Sequence, residues 1–176
     1  MHYDHIKVPT DGEVITANPD HSLNVPDFPI IPFIEGDGIG IDVTPVMLDV
    51  VNAAVARAYG DKREIRWMQV YAGTRAAEVY GDDQYLPDET LHALAHYIVS
   101  IKGPLQTPVG GGIRSLNVSI RQTMDLYACV RPIRYFPGVS TPMKQSDLVE
   151  MTVFRENTED IYAGIEFPTG SQEVQK

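Results

Sequence analysis

Lys102-Gly103-Pro104-Leu105-Gln106-Thr107-Pro108-Val109-Gly110-Gly111-Gly112-Ile113-Arg114-Ser115-Leu116-Asn117 decides how this chain is read. A short apolar run at 97–101 leads into it, and two prolines and four glycines keep it irregular. Ser115, a good helix N-cap residue, then opens a helical pattern that continues through Arg121. Consecutive glycines let backbone N–H groups approach a ligand with no Cβ in the way. The start of a helix adds N–H donors and partial positive charge aimed at whatever lies there. Strand, glycine loop, capped helix and nearby arginines describe a pocket for a small anion.

Upstream, Ile30-Ile31-Pro32-Phe33-Ile34 reads as a short apolar strand and Glu35-Gly36-Asp37-Gly38-Ile39-Gly40 as the turn into a helix. In that helix Val43, Val46, Met47, Val50, Val51, Ala54, Val55 and Ala58 follow the i, i+3, i+4, i+7 spacing of one buried face. Pro45 falls in its first turn, where a missing N–H costs little. A β-rich run at 65–71, a helix around Ala76 and a helix at 88–96 with Leu91 and Leu94 inward precede the run at 97–101, which is expected to be a strand. Strand and helix alternating in this order predict an α/β fold, a parallel sheet with flanking helices. Residues 1–28 are polar and broken by prolines, which reads as an irregular arm. After the Ser115 helix the character changes: 126–136 and 148–154 are extended runs joined by a Pro/Gly/Ser/Thr loop, and 164–167 may be read as the start of another strand.

The 176 residues carry a net charge of −10, which argues against a nucleic acid or an anionic membrane as partner. Against that acidic background Arg114, Arg121, Arg131, Arg134 and Arg155 gather in one part of the chain. Any one of them reads as a solvated or salt-bridged surface residue; several beside a glycine loop favour an anion site. Cys129 is the single cysteine, so no intrachain disulfide is available and a reducing compartment is expected. Its neighbours Leu126, Tyr127, Ala128 and Val130 suggest packing rather than nucleophilic chemistry. No apolar run approaches the roughly 18 residues needed to cross a bilayer, and the N-terminus lacks an apolar signal segment, so the expected location is the cytoplasm.

Other motifs read more plainly. The Gly36-to-Gly40 pattern is G-x-G-x-G, whereas the dinucleotide fingerprint is G-x-G-x-x-G, and a tight strand-to-helix turn is the better reading. His92 and His96 are four apart on one helix, but the glutamate of the zinc pattern is missing between them, which leaves two surface histidines. Asp82-Asp83 and Glu159-Asp160 read as solvated turns. Asn117 and Arg121 are different: one helical turn apart, they share a face while Leu116 and Ile120 pack on another. Arg131 on the following strand could close the same volume. Guanidinium groups bind carboxylates bidentately, so this set suits a di- or tricarboxylic acid without defining a reaction.

The 34–40 turn, the 102–121 loop and helix, and Phe154-Arg155-Glu156-Asn157-Thr158-Glu159-Asp160-Ile161-Tyr162-Ala163-Gly164 together resemble the isocitrate/isopropylmalate dehydrogenase family of metal-dependent β-decarboxylating dehydrogenases. The resemblance runs from about residue 30 to the last residue, and Ser-Leu-Asn after Gly-Gly-Gly-Ile-Arg points within it to the bacterial NADP-dependent isocitrate dehydrogenases. It implies that Ser115, Asn117, Arg121, Arg131 and Arg155 bind isocitrate and that Tyr162 protonates the enol left after CO₂ departs. It also places Gln106 and Thr107 near the cofactor, with Gln106 standing where threonine is usual, so that NADP against NAD stays open. The implied organisation is an N-terminal arm at 1–28, the first part of a large α/β domain at 29–126, the start of a small domain at 127–159 and the start of a clasp-like segment at 160–176.

The activity implied is oxidative decarboxylation of isocitrate to 2-oxoglutarate with NADP reduction, in the tricarboxylic acid cycle and beside the glyoxylate bypass. Mg²⁺ or Mn²⁺ is implied as well, with its ligands and a catalytic lysine expected beyond Lys176. The chain is therefore expected to be the N-terminal, substrate-binding portion of a longer enzyme, its sheet incomplete and its isolated form inactive. A homodimer is implied, as is control by a kinase and phosphatase acting on Ser115. The alternatives are a related dehydrogenase acting on homoisocitrate or 3-isopropylmalate, and a non-catalytic tricarboxylate-binding fragment or split subunit.

Overall fold

The computed structural model describes residues 2–175 apart from 82, 107–114, 160–162, 164, 166 and 168. It divides into two compact units, 1–117 and 118–176.

In the first unit the N-terminal stretch is tied down rather than loose. Ile6 and Ile15 are buried at 5% and 3% exposure. Thr16–Ala17 (β1) pairs antiparallel with Leu23–Asn24 (β2), and the turn between them is closed by Asp20, whose carboxylate accepts from the Ser22 N–H at 3.0 Å and its hydroxyl at 2.6 Å. The arm is held to the body by Glu89, which accepts from the Asp4 N–H and the Tyr80 hydroxyl.

The core is a parallel sheet in the order β4-β3-β5, with Ile30–Ile34 (β3) at its centre between Arg66–Gln69 (β4) and Ile101–Lys102 (β5). Ile30 lies opposite Arg66 and Phe33 opposite both Gln69 and Ile101. A parallel sheet is covered on both faces, and the central strand shows it: Ile30, Pro32 and Ile34 are buried and the residues between them half-buried. Met68, Val70, Ala72 and Ala76 extend that core. The flanking helices are Gly40–Tyr59 (α1), Thr74–Tyr80 (α2) and Asp88–Tyr97 (α3).

Two expectations are corrected. The run at 97–101 is not one strand: Tyr97 is the last residue of α3, buried at 4%. It completes the helix face begun by Thr90, Ala93 and Leu94, and that helical spacing outcompetes the local apolar run. Ile98, at φ +63, breaks the helix, and only Ile101 and Lys102 enter the sheet. The second correction concerns α1, whose apolar residues form two faces rather than one. At 100° per residue, Thr44, Met47, Leu48, Val51 and Val55 point one way and are buried or half-buried. Val43, Val46, Val50 and Ala54 point elsewhere and stay exposed.

Leu116–Thr123 (α4) spans the division between the units. The second unit continues with Ala128–Arg134 (β6) and Glu150–Glu156 (β7), an antiparallel pair with Ala128 opposite Glu156 and Arg134 opposite Glu150. Residues 165 and 167 are not in a strand, and the rest of the strand expected at 164–167 lies outside the described residues. Among the described residues no helix is long and apolar enough to cross a membrane.

Candidate functional site

In the first unit the exits of β3 and β5 meet backbone to backbone. The Gly103 N–H donates to the Ile34 carbonyl at 2.7 Å and the Asp37 N–H to the Pro104 carbonyl at 2.7 Å. A Cβ on Gly36 would fall well inside 3.0 Å of the Pro104 backbone, and one on Gly103 equally close to the Glu35 carbonyl. Gly36 also has φ +91, which strains any other residue. The 34–40 segment is thus the tight turn that its spacing predicts, and it serves to fix where the glycine-rich stretch begins.

Asp37, 5% exposed, sits at the centre of this seam. Its Oδ1 accepts from the Thr74 N–H at 2.9 Å and hydroxyl at 2.6 Å, and its Oδ2 accepts from the Gln106 N–H at 2.8 Å. Gln106 is exposed, and its backbone is anchored by the Asp37 carboxylate. Ser115 immediately precedes α4 and is half-buried. Asn117, also half-buried, reaches back through Nδ2 to the Leu105 carbonyl at 3.4 Å, a long bond between the two ends of the glycine-rich stretch. Thr107, Gly110, Gly111, Gly112 and Arg114 lie outside the described residues.

In the second unit a polar network joins the exit of α4 to the β6–β7 ribbon. α4 ends with Asp125 at φ +51, the left-handed residue of a helix C-cap. The Leu126 N–H then donates to the Arg121 carbonyl at 2.8 Å and the Asp125 N–H to the Gln122 carbonyl at 3.2 Å, the paired bonds of a Schellman motif. Asn157, buried at 3%, joins this exit to the ribbon, its N–H donating to the Tyr127 carbonyl at 3.0 Å. On the ribbon itself Cys129, Arg131 and Ile133 share a face with Arg155, Val153 and Met151, because side chains alternate along each strand and Cys129 is opposite Arg155. Arg134 is on the other face, its guanidinium 5.0 Å from the Phe136 ring centroid, and so falls outside the cluster.

Cys129 lies on the same ribbon face as Arg131 and Arg155. Two orientations of the Asn157 amide bear on it. In one, Nδ2 donates to Sγ at 3.0 Å and is the largest cause holding the thiol below its ordinary range, with Arg121, Arg131 and Arg155 adding to the effect and burial opposing it. In the other, the amide nitrogen donates to the Glu156 carbonyl at 3.2 Å and the oxygen accepts from the Cys129 N–H at 3.2 Å. The second orientation gives each end of the amide a complementary partner, and we adopt it; the Asn157 donor to Sγ is then absent. Cys129 is half-buried, not the fully packed residue its neighbours suggested.

Arg131 and Arg155 therefore share one face of the ribbon, Arg121 belongs to α4 in the same unit, and guanidinium groups are the side chains suited to carboxylates. Tyr162 lies outside the described residues. His92 and His96 are both exposed on α3, and among the described residues no group of three or more His, Cys, Asp or Glu side chains is arranged to hold a metal ion. Sequence reasoning missed Asp37 and Asn157 as organisers of the site. The available signal was position: Asp37 separates two turn glycines, and Asn157 follows directly after Arg155 and Glu156.

Comparison with known proteins adds relatives to this geometry. Residues 30–176 match the family described as isocitrate/isopropylmalate dehydrogenase. A Psychrobacter protein named isocitrate dehydrogenase (NADP) 1 is 60% identical over 176 residues, covering 100% of this chain and 42% of that protein. The Coxiella burnetii isocitrate dehydrogenase (NADP) is 64% identical over 165 residues, 94% of this chain and 38% of its own length. The crystal structure of isocitrate dehydrogenase from Methylococcus capsulatus superposes with a TM-score of 0.61 at 44% identity, over 77% of this chain and 37% of that one. The chain thus spans about two fifths of the length of the curated relatives it matches.

Proposed function

We propose, from the premise that this chain belongs to the isocitrate/isopropylmalate dehydrogenase family, that it supplies the isocitrate-binding residues of an NADP-dependent isocitrate dehydrogenase. The observation that carries the reading is the ribbon register that puts Arg131 and Arg155 on one face with Cys129. Three positive charges suit three carboxylates, and two of the relatives are named isocitrate dehydrogenase (NADP).

In this reading each of Ser115, Asn117, Arg121, Arg131 and Arg155 contacts isocitrate. The guanidinium groups hold the carboxylates so that C2 is presented in one orientation, which converts an encounter into a near-attack arrangement. A bound nicotinamide would supply a hydride acceptor for C2, and a divalent ion, Mg²⁺ or Mn²⁺, would supply Lewis-acid polarisation of the C2 oxygen. Tyr162 returns a proton to carbon once CO₂ has left. Gln106 and Thr107 contact the cofactor, and the metal draws its ligands from residues other than those described. The protein acts in the cytoplasm as a homodimer, and phosphorylation of Ser115 by a dedicated kinase would switch it off by placing negative charge beside the substrate.

The test is steady-state turnover of the full-length protein with isocitrate, Mg²⁺ and either NADP⁺ or NAD⁺, alongside Arg121→Met, Arg131→Met and Arg155→Met. Charged hydrogen bonds contribute about 1.5–3 kcal/mol each, so isocitrate affinity should fall roughly ten- to hundredfold with NADP⁺ affinity little changed. Turnover of homoisocitrate or 3-isopropylmalate in place of isocitrate, or equal losses for both ligands, would refute it.

A further inference from the structure

We propose that Asp37 is a positioning residue for the dinucleotide, acting by holding the backbone of Gln106; this rests on the placement of Gln106 at the cofactor. Asp37 itself is buried and its carboxylate is divided between two segments. One oxygen takes both Thr74 donors at the start of α2, and the other takes the Gln106 N–H at 2.8 Å. Its own N–H is fixed by the Pro104 carbonyl, so the carboxylate and the residue it holds belong to one rigid seam. The Asp37 carboxylate packs against Gly73, at φ +71, in space that only the missing Cβ leaves open, since a Cβ there would fall well inside 3.0 Å of Oδ2. Three donors converge on it, and a carboxylate, which only accepts, satisfies all three.

That distribution makes the two oxygens separable by mutation. In Asp37→Asn the amide oxygen is drawn to the side with two donors, Thr74, and the NH₂ is left facing the Gln106 N–H. The variant should release Gln106 while keeping α2 in place. Thr74→Val removes one donor from the opposite oxygen and leaves the Gln106 bond intact, so it loses stability without loosening Gln106.

The experiment uses the full-length protein and two readouts, NADPH affinity by fluorescence titration and isocitrate KM at saturating NADP⁺. Asp37→Asn should weaken NADPH binding on the order of tenfold and change isocitrate KM by less than about twofold. Thr74→Val should lower Tm and leave NADPH affinity within about twofold. The proposal is overturned if Asp37→Asn binds NADPH as the wild type does, if both ligands weaken together, or if Thr74→Val reproduces the loss. Should Asp37→Asn not fold, Gln106→Pro removes the same bond from its other end. Its loss of NADPH affinity must then exceed that of Gln106→Ala, which keeps the N–H, and equal losses overturn the proposal. Wild-type turnover tests the earlier reading by itself. A wild type that binds neither NADPH nor NADH sinks both readings, whereas one that binds while Asp37→Asn is unaffected sinks only this one.

Discussion

The two units hold their shape by different means. Residues 1–117 bury Ile30, Ile34, Met68, Val70 and Ala76 around a parallel sheet, so their geometry follows from apolar packing. In the β6–β7 ribbon of the second unit, only Cys129 and Arg155 are even half-buried, and Val130, Met151 and Phe154 face solvent at 56%, 52% and 71%. What fixes that unit is backbone pairing, the Asp125 helix exit and the Asn157 contacts. Ser115 and Asn117 thus belong to a firmly packed scaffold, while the three arginines belong to one held by hydrogen bonds. A polar network is sensitive to the loss of a single member, and a packed core to the loss of volume.

That contrast can be broken at the point of largest effect, Ser115→Asp in the full-length protein. Asp is also a good N-cap, so Tm should be kept. Two unit charges about 4 Å apart at an effective dielectric near 20 repel by about 4 kcal/mol, which lowers isocitrate affinity by roughly three orders of magnitude. Ser115→Ala should keep part of the activity, and near-normal turnover in the aspartate variant would leave Ser115 as a cap alone. Next in size is Met68→Ala, at a fully buried position of the first unit. It should cost about 2–5 kcal/mol in thermal or denaturant unfolding, whereas Val153→Ala, at 41% exposure on the ribbon of this chain, should stay within about 0.5 kcal/mol. Comparable losses would mean that the ribbon is packed after all.

Asn157→Ala should cost about 1–3 kcal/mol by leaving buried partners unsatisfied. Hydrogen exchange would localise the loss: the Cys129 amide, which donates to the Asn157 side-chain oxygen at 3.2 Å, should exchange faster, and the Val70 and Gly103 amides of the first unit should not change. Uniform acceleration would show the units to be one cooperative block. The smallest effect is at Glu156, whose carboxyl is held below its ordinary range first by the Thr158 N–H, with the Thr158 hydroxyl and the Glu159 N–H adding. A lowered folded value means that this contribution is present above the unfolded value of about 4.3 and is lost as pH falls through the lower folded one. The Thr158 amide resonance should titrate below pH 4.3 or so in the wild type and not in Glu156→Gln.

The alternation of strand and helix was readable because hydrophobic spacing in β3, β4 and α3 matches the elements that form. Tyr97 shows where such reading fails, since a residue can satisfy a local apolar run and a helix face at once, and only the tertiary fold chooses. α1 shows a second limit: spacing finds apolar residues, but not which of two stripes meets the sheet. The arginines were legible as a charge anomaly, and the ribbon register explains why Arg131 and Arg155 share a face while Arg134 does not. Asp37 and Asn157 were not, because their importance lies in partners distant in sequence: Thr74 and Gln106 for the first, Tyr127 and Cys129 for the second.

The glycine seam has a consequence for anyone who shuffles this sequence and selects survivors. At Gly36 and Gly103 a single added methyl is a wedge between two backbones, whatever its chemistry. A saturation library screened for turnover should return glycine alone at both positions, and a screen for folding should return the same answer. Invariance there would look like the imprint of a ligand, yet it would record only how closely two stretches of main chain approach.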